Sequence, residues 1–349
     1  MAYCSECGSI ANYAFDPSKI GYDARYDNAL HFSEKFKLFA NRLAARLVKD
    51  HDLKGKRIAE IGCGDGYFLR LLLDHGVGSA IGYDPSMAEG RLDKLPRREG
   101  LTILPEAFGD QRLPDDIEAV FCRHVLEHIP KPLPFLSAIR STIGDRSCVM
   151  YFEVPNARWM LESDSIWDVI YEHVTYWTPP ALSYALRCAG FTPINVQTDF
   201  NDQYLMIEAR PSDKSDTGGT AFAQALKDAG QSAARFGASA ARELDAWQTR
   251  LSRLKDSGGR AALWGAGSKG VTFLNVVPAA SAAIDCVVDV NPRKHGMFVS
   301  GTAHPIVSPN RLAETDPDLI LVANEIYLDE IRATVELMGL TPEFAVIAG

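Results

Sequence analysis

The sequence predicts an α/β protein, with a doubly wound, mostly parallel sheet followed by a second, smaller α/β region. Three observations predict it. Short apolar runs alternate with stretches of helical periodicity along most of the chain. Two glycine-rich turns each stand between a strand and a helix, at Gly62-Cys63-Gly64-Asp65-Gly66 and at Gly265-Ala266-Gly267-Ser268-Lys269-Gly270. An acid, Asp84 or Asp289, follows each turn by roughly 20 residues, the distance that a strand–helix–strand unit imposes.

The elements follow in order. Residues 1–32 are rich in Tyr, Asp and Ser, show no steady period and form an arm. From Ser33 to Asp50, Phe36, Phe39, Ala40, Leu43 and Leu47 recur at helical spacing, with Ser33 as the N-cap. Strands are predicted at Arg57–Ile61, Ser79–Tyr83, Leu101–Leu104, Ala119–Cys122 and Cys148–Val154, with helices at Tyr67–Asp74 and Leu133–Ile143. Pro179–Ala189 is a helix that Gly190 ends at the C′ position. Thr192–Thr198 and Tyr204–Ala209 form an antiparallel hairpin at one sheet edge. The stretch Pro211-Ser212-Asp213-Lys214-Ser215-Asp216-Thr217-Gly218-Gly219 is a linker, and Phe222–Lys255, Ala-rich and free of proline, is a long helix. The second region has strands at Arg260–Trp264, Ala283–Val288 and Leu319–Val322 and helices at Ser268–Val276 and Ile326–Met338. The domains are therefore 1–32, 33–211, 212–257 (linker and long helix) and 258–349.

Composition narrows the function. A chain of 349 residues is long enough for two cores. The net charge of -9, without a basic run, disfavours a nucleic-acid partner and otherwise reads as ordinary solubility; a small-molecule partner follows from the candidate site residues instead. No apolar run is long enough to span a bilayer, and the first residues do not read as a signal peptide. Cys63, Cys122, Cys148 and Cys286 lie in apolar runs, where reduced buried thiols are expected, so the compartment is read as the cytoplasm. Oligomeric state is not encoded in any visible pattern.

The first turn carries the cofactor argument. A nucleoside cofactor lies against backbone at the carboxyl ends of parallel strands, where a Cβ would push it away. The next helix presents free N–H groups to its polar end. Asp84, ending the following strand, suits two ribose hydroxyls. The spacing Glu60-x-Gly62-x-Gly64-x-Gly66 is tighter than a dinucleotide turn, which must also accommodate a pyrophosphate. S-adenosylmethionine has no pyrophosphate, and its sulfonium favours nearby carboxylates. The turn resembles motif I of class I methyltransferases, and Gly82-Tyr83-Asp84-Pro85-Ser86 resembles their ribose-binding strand end. Arg123-His124-Val125-Leu126-Glu127-His128-Ile129 is similar to the segment that passes the cofactor and faces substrate. Glu106-Ala107-Phe108 stands where such enzymes contact adenine. The implied cofactor residues are Glu60, Gly62, Cys63, Gly64, Gly66, Asp84, Pro85, Glu106, Ala107, Phe108 and Arg123.

Further stretches narrow the resemblance. These are residues 26–33, residues 167–177, Leu263-Trp264-Gly265-Ala266-Gly267-Ser268-Lys269-Gly270, and Val288-Asp289-Val290-Asn291-Pro292-Arg293-Lys294. Together they resemble the three-part C-methyltransferase family that includes sugar C3′-methyltransferases. The resemblance implies a zinc-binding N-terminal region, a methyltransferase sheet and a Rossmann-like C-terminal domain that takes the substrate's nucleotide or carrier. The zinc region of that family has two Cys-x-x-Cys pairs, whereas this chain has only Cys4-Ser5-Glu6-Cys7. A closed structural zinc site needs four ligands, so two unliganded thiols are expected rather than a metal.

Carbon methylation requires a base beside an acidic C–H, and histidine has a suitable pKa. The resemblance places Glu172 and His173 over the acceptor, with His124 and either Tyr22 or Tyr26 nearby. Glu127 and His128 are read as structural or cofactor-wall residues. Trp167, Tyr171, Tyr176 and Trp177 either line the acceptor pocket or cap the sheet. O- or N-methylation could use the same groups. Gly265-x-Gly267-x-x-Gly270 with Asp289 has true dinucleotide spacing and supports a rival reading, an NAD(P)-linked oxidoreductase or epimerase. Lys269, at a helix N-terminus, could instead meet a substrate phosphate, with Asn291, Arg293 and Lys294 as further candidates or merely a solvated loop. A SAM-binding regulator without turnover is a third class.

Overall fold

A computed structural model describes residues 1–20, 29–87, 90–109, 113–212 and 219–347. The chain divides into two compact units. The first comprises Met1–Asp27, Phe36–Arg158 and Tyr171–Gln231; the second comprises Asn28–Lys35, Trp159–Ile170 and Ser232–Gly349.

In the first unit, β1 (Ala2–Tyr3) and β2 (Ile10–Ala11) form a small hairpin. Helix α1 (Glu34–Asp50) then buries the predicted stripe of Phe36, Phe39, Ala40, Leu43 and Leu47. The chain continues through β3 (Arg57–Ile61), α2 (Tyr67–Asp74), β4 (Ser79–Tyr83), β5 (Leu101–Leu104), β6 (Ile117–Arg123), α3 (Pro132–Ile143) and β7 (Val149–Pro155). After α4 (Ala157–Glu162), β8 (Thr175–Tyr176) pairs with β2 to make a three-stranded sheet. Helix α5 (Pro179–Cys188) is capped by the Thr178 hydroxyl and closed by Gly190 at φ 82°. Strands β9 (Phe191–Asp199) and β10 (Tyr204–Pro211) form the expected hairpin.

The main sheet runs β5-β4-β3-β6-β7-β10-β9. Its first five strands are parallel, and β10 pairs antiparallel with both β7 and β9. Strand order reverses at β3, between β4 and β6, so the loops leaving those carboxyl ends open a crevice there. The core is aliphatic and aromatic, with Ile139, Phe152, Leu182, Phe191 and Leu205 fully buried. The strand alternation predicted this sheet well. The short β1, β2 and β8 escaped it because two-residue strands have no readable period.

Helix α6 (Gly219–Asp256) leads into the second unit. There β11 (Ala261–Trp264), α7 (Ser268–Val276), α8 (Ala280–Ala283), β12 (Ile284–Val288), β13 (Ile306–Val307), α9 (Leu312–Thr315), β14 (Leu319–Val322), α10 (Leu328–Leu337) and β15 (Glu343–Val346) follow. The sheet is all parallel, in the order β13-β12-β11-β14-β15, with its own reversal at β11. Ser33 precedes α1 as expected, but its hydroxyl donates to Glu330 at 2.8 Å. Trp167 belongs to this unit. Its indole N–H donates to the Ile347 carbonyl and its ring meets Phe273 edge-on at 4.8 Å. Among the described residues no helix is long and apolar enough to cross a membrane.

Candidate active site

The first glycine turn leaves β3 and enters α2. Gly62 has φ 72°, and a Cβ there would come within 2.1 Å of Val125. Gly64 has φ 53°, yet a Cβ on it would meet nothing within 4 Å. One glycine is therefore demanded by protein packing, while the other faces open space. Gly66, the N-cap of α2, is in the left-handed region and packs against Ile103. Cys63 is buried against Gly82, and burial holds its thiol well above the usual pKa.

Asp84, at the end of β4, fastens this turn. Its Oδ2 accepts from the Gly64 N–H at 2.7 Å, and its Oδ1 accepts from the Ser86 N–H and hydroxyl. The half-buried carboxylate is thus fixed in place at the crevice edge. Phe108 stacks edge-on to Tyr83 at 5.4 Å, while Pro85, Glu106 and Ala107 are exposed.

Behind the turn lies a buried charge network centred on Glu153, which is 0% exposed. Glu153 Oε1 accepts from Arg123 Nη2 at 2.8 Å and sits 2.9 Å from His124 Nε2; Oε2 accepts from the Tyr151 hydroxyl. Burial opposes its charge, but Arg123 and His124 overcome that and bring its pKa down to about 2. Arg123 stacks 3.9 Å over Phe68 and stands 4.0 Å from Glu60. Burial disfavours its charge too, and Glu153 and Glu60 more than restore it. Glu60 is the least satisfied member. Its Oε2 has no hydrogen-bond partner among the described residues, and burial, reinforced by Glu153 and Asp84, pushes its pKa up to about 7.

His124 follows β6 at φ 52°, a conformation that only a tightly held non-glycine residue keeps. Its N–H bonds to the Glu153 carbonyl at 2.8 Å, and its Nδ1 lies 3.6 Å from Glu127. Burial alone would lower its pKa, but Glu127 and Glu153 raise it to about 9. The neighbouring carboxylates thus favour the charged form of His124, which can donate to a developing anion.

His173 is buried beside Glu127 and His128, and one ligating atom of each residue lies within 4.8 Å of the other two. The His173 ring is edge-on to His128 at 5.0 Å and tilted against Tyr176 at 5.7 Å. Glu127 is 2% exposed; burial would raise its pKa, and His124, His128 and His173 bring it below the usual range. The adjacent Glu172 contributes its backbone carbonyl to His128 Nδ1 at 3.1 Å. Among the described residues its carboxylate makes no hydrogen bond or ion pair.

The structure thus gathers Glu60, Arg123 and His124 around Glu153, and His173 beside Glu127. Tyr176 lies in the second group. Tyr171 instead binds the N-terminal arm: its hydroxyl donates to the Ala14 carbonyl and accepts from the Asp16 N–H. Trp177 packs in the sheet core. Tyr22 and Tyr26 lie outside the described residues. Cys4 and Cys7 occupy the β1–β2 turn as free thiols, with Cys7 Sγ 3.1 Å from Ser9 Oγ. Sequence reasoning missed Glu153, although a lone carboxylate in the apolar strand Val149–Pro155 marks it.

The second glycine turn repeats the first. Asp289 Oδ2 accepts from the Ala266 N–H at 2.9 Å and its Oδ1 from the Asn291 N–H at 2.8 Å. A Cβ on Gly270 would reach 2.1 Å from the Gly265 carbonyl, so tight helix–strand packing requires that glycine. Lys269 pairs with Asp168 at 2.9 Å and lies over Trp159, Lys294 donates to the Ala266 carbonyl, and buried Asn291 caps the Arg293 N–H.

Residues 31–196 match the family described as a methyltransferase domain, and residues 222–339 match the C-methyltransferase C-terminal domain. Residues 31–196 thus have the sequence pattern of a methyltransferase domain. The open face at Gly64, the fixed Asp84 carboxylate and the unpartnered Glu60 oxygen would fit S-adenosylmethionine. Among relatives, the tRNA U34 carboxymethyltransferase of Helicobacter pylori (strain HPAG1) is 30% identical over 137 residues, covering 36% of this chain and 46% of its own. That of Pseudomonas fluorescens (strain SBW25) is 30% identical over 174 residues, covering 43% and 50%. The chain spans about half the length of these curated relatives. A methyltransferase structure from Mesorhizobium loti aligns at 18% identity with a TM-score of 0.40, covering 49% of this chain and 97% of its own.

Proposed function

We propose that the chain transfers a methyl group from S-adenosylmethionine to a small-molecule acceptor bound beside His124 and His173. The observation that carries this reading is that the open Gly64–Asp84 turn and His124 stand at the carboxyl ends of the neighbouring strands β4, β3 and β6. When bound, S-adenosylmethionine supplies an electrophilic methyl group. Gly64 admits the cofactor to the backbone, Asp84 takes the ribose hydroxyls, and the N-terminus of α2 meets the carboxylate end. His124 stabilises negative charge as it develops on the acceptor. His173, on the acceptor side, handles the proton lost before carbon is methylated.

Carbon is the favoured methylated atom because the C-terminal match is to a C-methyltransferase domain. The resemblance to sugar C3′-methyltransferases makes a nucleotide-linked sugar the first acceptor class to try. In this reading residues 33–211 supply the methyl-transfer site and 258–349 recognise the carrier. A tRNA uridine is the second reading, favoured by the names of the relatives. The net charge of -9 weighs against it, because phosphate backbones are held by surplus Lys and Arg. Incubation with methyl-labelled S-adenosylmethionine and either nucleotide sugars or bulk tRNA separates the two. Label in tRNA alone overturns the small-molecule reading.

A further inference from the structure

The fold uses the Glu127–His128–His173 cluster more elaborately than a wall of the cofactor site requires. Two imidazoles and one carboxylate converge, with ligating atoms all within 4.8 Å of one another. They come from separate segments, the 3-10 turn after β6 and the loop before β8. The Val174 N–H clamps these segments by bonding to the Glu127 carbonyl at 2.7 Å. His128 Nδ1 faces the Glu172 carbonyl at 3.1 Å, which turns Nε2 toward Glu127, 4.0 Å away. A backbone carbonyl that holds one imidazole nitrogen is the usual support of a metal-binding histidine.

The carboxylate supplies an independent sign. Glu127 is 2% exposed, and its Oε2 has no hydrogen-bond partner among the described residues. A buried carboxylate oxygen left without a donor is costly, and a cation would remove that cost. We propose that Glu127, His128 and His173 bind one divalent cation of the zinc type. Two histidines and a glutamate suit zinc, and three protein ligands leave a fourth position open. Tetrahedral ligands at ~2.1 Å stand roughly 3.4 Å apart, so small side-chain rotations would close the present spacing. With the cation bound, His173 serves as a ligand in place of the proton-handling role it has in the metal-free reading, and an acceptor oxygen takes the fourth position. That last role rests on the methyl-transfer reading; the cation site itself does not.

The test must exclude zinc held by Cys4 and Cys7. The full chain carrying Cys4→Ser and Cys7→Ser is stripped with chelator and titrated with Zn²⁺ by calorimetry, with metal content measured after gel filtration. One equivalent is expected, and His128→Ala in the same background should weaken binding at least tenfold while S-adenosylmethionine affinity stays within twofold. No uptake by the double-serine chain, or uptake unchanged by His128→Ala, overturns the proposal. If His128→Ala no longer binds S-adenosylmethionine, His173→Ala repeats the measurement on the other imidazole. Zinc uptake without S-adenosylmethionine binding by the parent chain would overturn the methyl-transfer reading and leave the metal site standing.

Discussion

His124 and Glu153 are held together twice, by the His124 N–H on the Glu153 carbonyl at 2.8 Å and by Nε2 facing the carboxylate at 2.9 Å. The backbone bond fixes a left-handed residue, and the side-chain contact keeps it charged. Glu153→Gln should therefore release both Arg123 and His124. Removing one partner from a buried ion network costs roughly 3–5 kcal/mol. Urea unfolding should show a loss of that order. A loss below about 1 kcal/mol would mean that the network carries little of the fold.

The two glycines of the first turn should fail differently. Gly62→Ala drives a Cβ into Val125 and should lower the melting temperature sharply. Gly64→Ala meets no protein atom, so it should fold with only the ~1–2 kcal/mol backbone penalty of φ > 0 and lose S-adenosylmethionine affinity at least tenfold. Equal effects on folding and affinity in both variants would refute the distinction. Calorimetry and thermal melting read the two quantities separately.

His173→Ala should retain cofactor binding while turnover falls by about 10²-fold or more. A collapse of S-adenosylmethionine affinity with the fold intact would assign His173 to the cofactor side.

Stability should depend on acid through Glu208. It is buried with Arg46 at 2.7 Å and His51 at 2.8 Å. Burial opposes its charge, but hydrogen bonds from His51 and Arg46 bring its pKa down to about 2. The folded pKa is depressed below the unfolded one, so this stabilisation is complete above the ordinary carboxylate range. It is lost as pH falls from about 4.5 towards 2. Urea midpoints measured across that window should converge for the parent and Glu208→Gln. A gap that persists at the acid end would place the stabilisation elsewhere.

The C-terminal turn should not bind a nicotinamide cofactor. The Asp289 carboxylate, held by two backbone N–H groups much as Asp84 is, also pairs with Lys294 at 3.6 Å, a cation that a dinucleotide ribose would have to displace. NADH fluorescence should remain unchanged at micromolar concentrations. Quenching with a micromolar Kd would revive the oxidoreductase reading.

Periodicity made most of both sheets legible, because buried parallel strands between helices leave short apolar runs such as Leu319–Val322, but β13 and β15 escaped it. The glycine turns were legible as local patterns, yet only their surroundings separate Gly62 from Gly64. The partners of His124 and His173 were not legible. Glu153 is 29 residues from His124, and Glu127 is 46 residues from His173. Such pairings depend on strand order, which a linear pattern does not encode. Tyr171, read from sequence as lining the pocket or capping the sheet, has its hydroxyl bonded to the backbone of residues 14 and 16, a contact no local pattern encodes.

The segment Trp159–Ile170, embedded in the first half of the sequence but built into the second unit, has a practical consequence. Cutting the linker after Pro211 would not yield two separable folding modules. The C-terminal fragment would lack Trp167, and Phe273 would lose the indole packed against it. A protease that nicks this linker should leave fragments that co-elute until denatured. Exchange of the C-terminal half between related proteins would have to carry this internal piece as well.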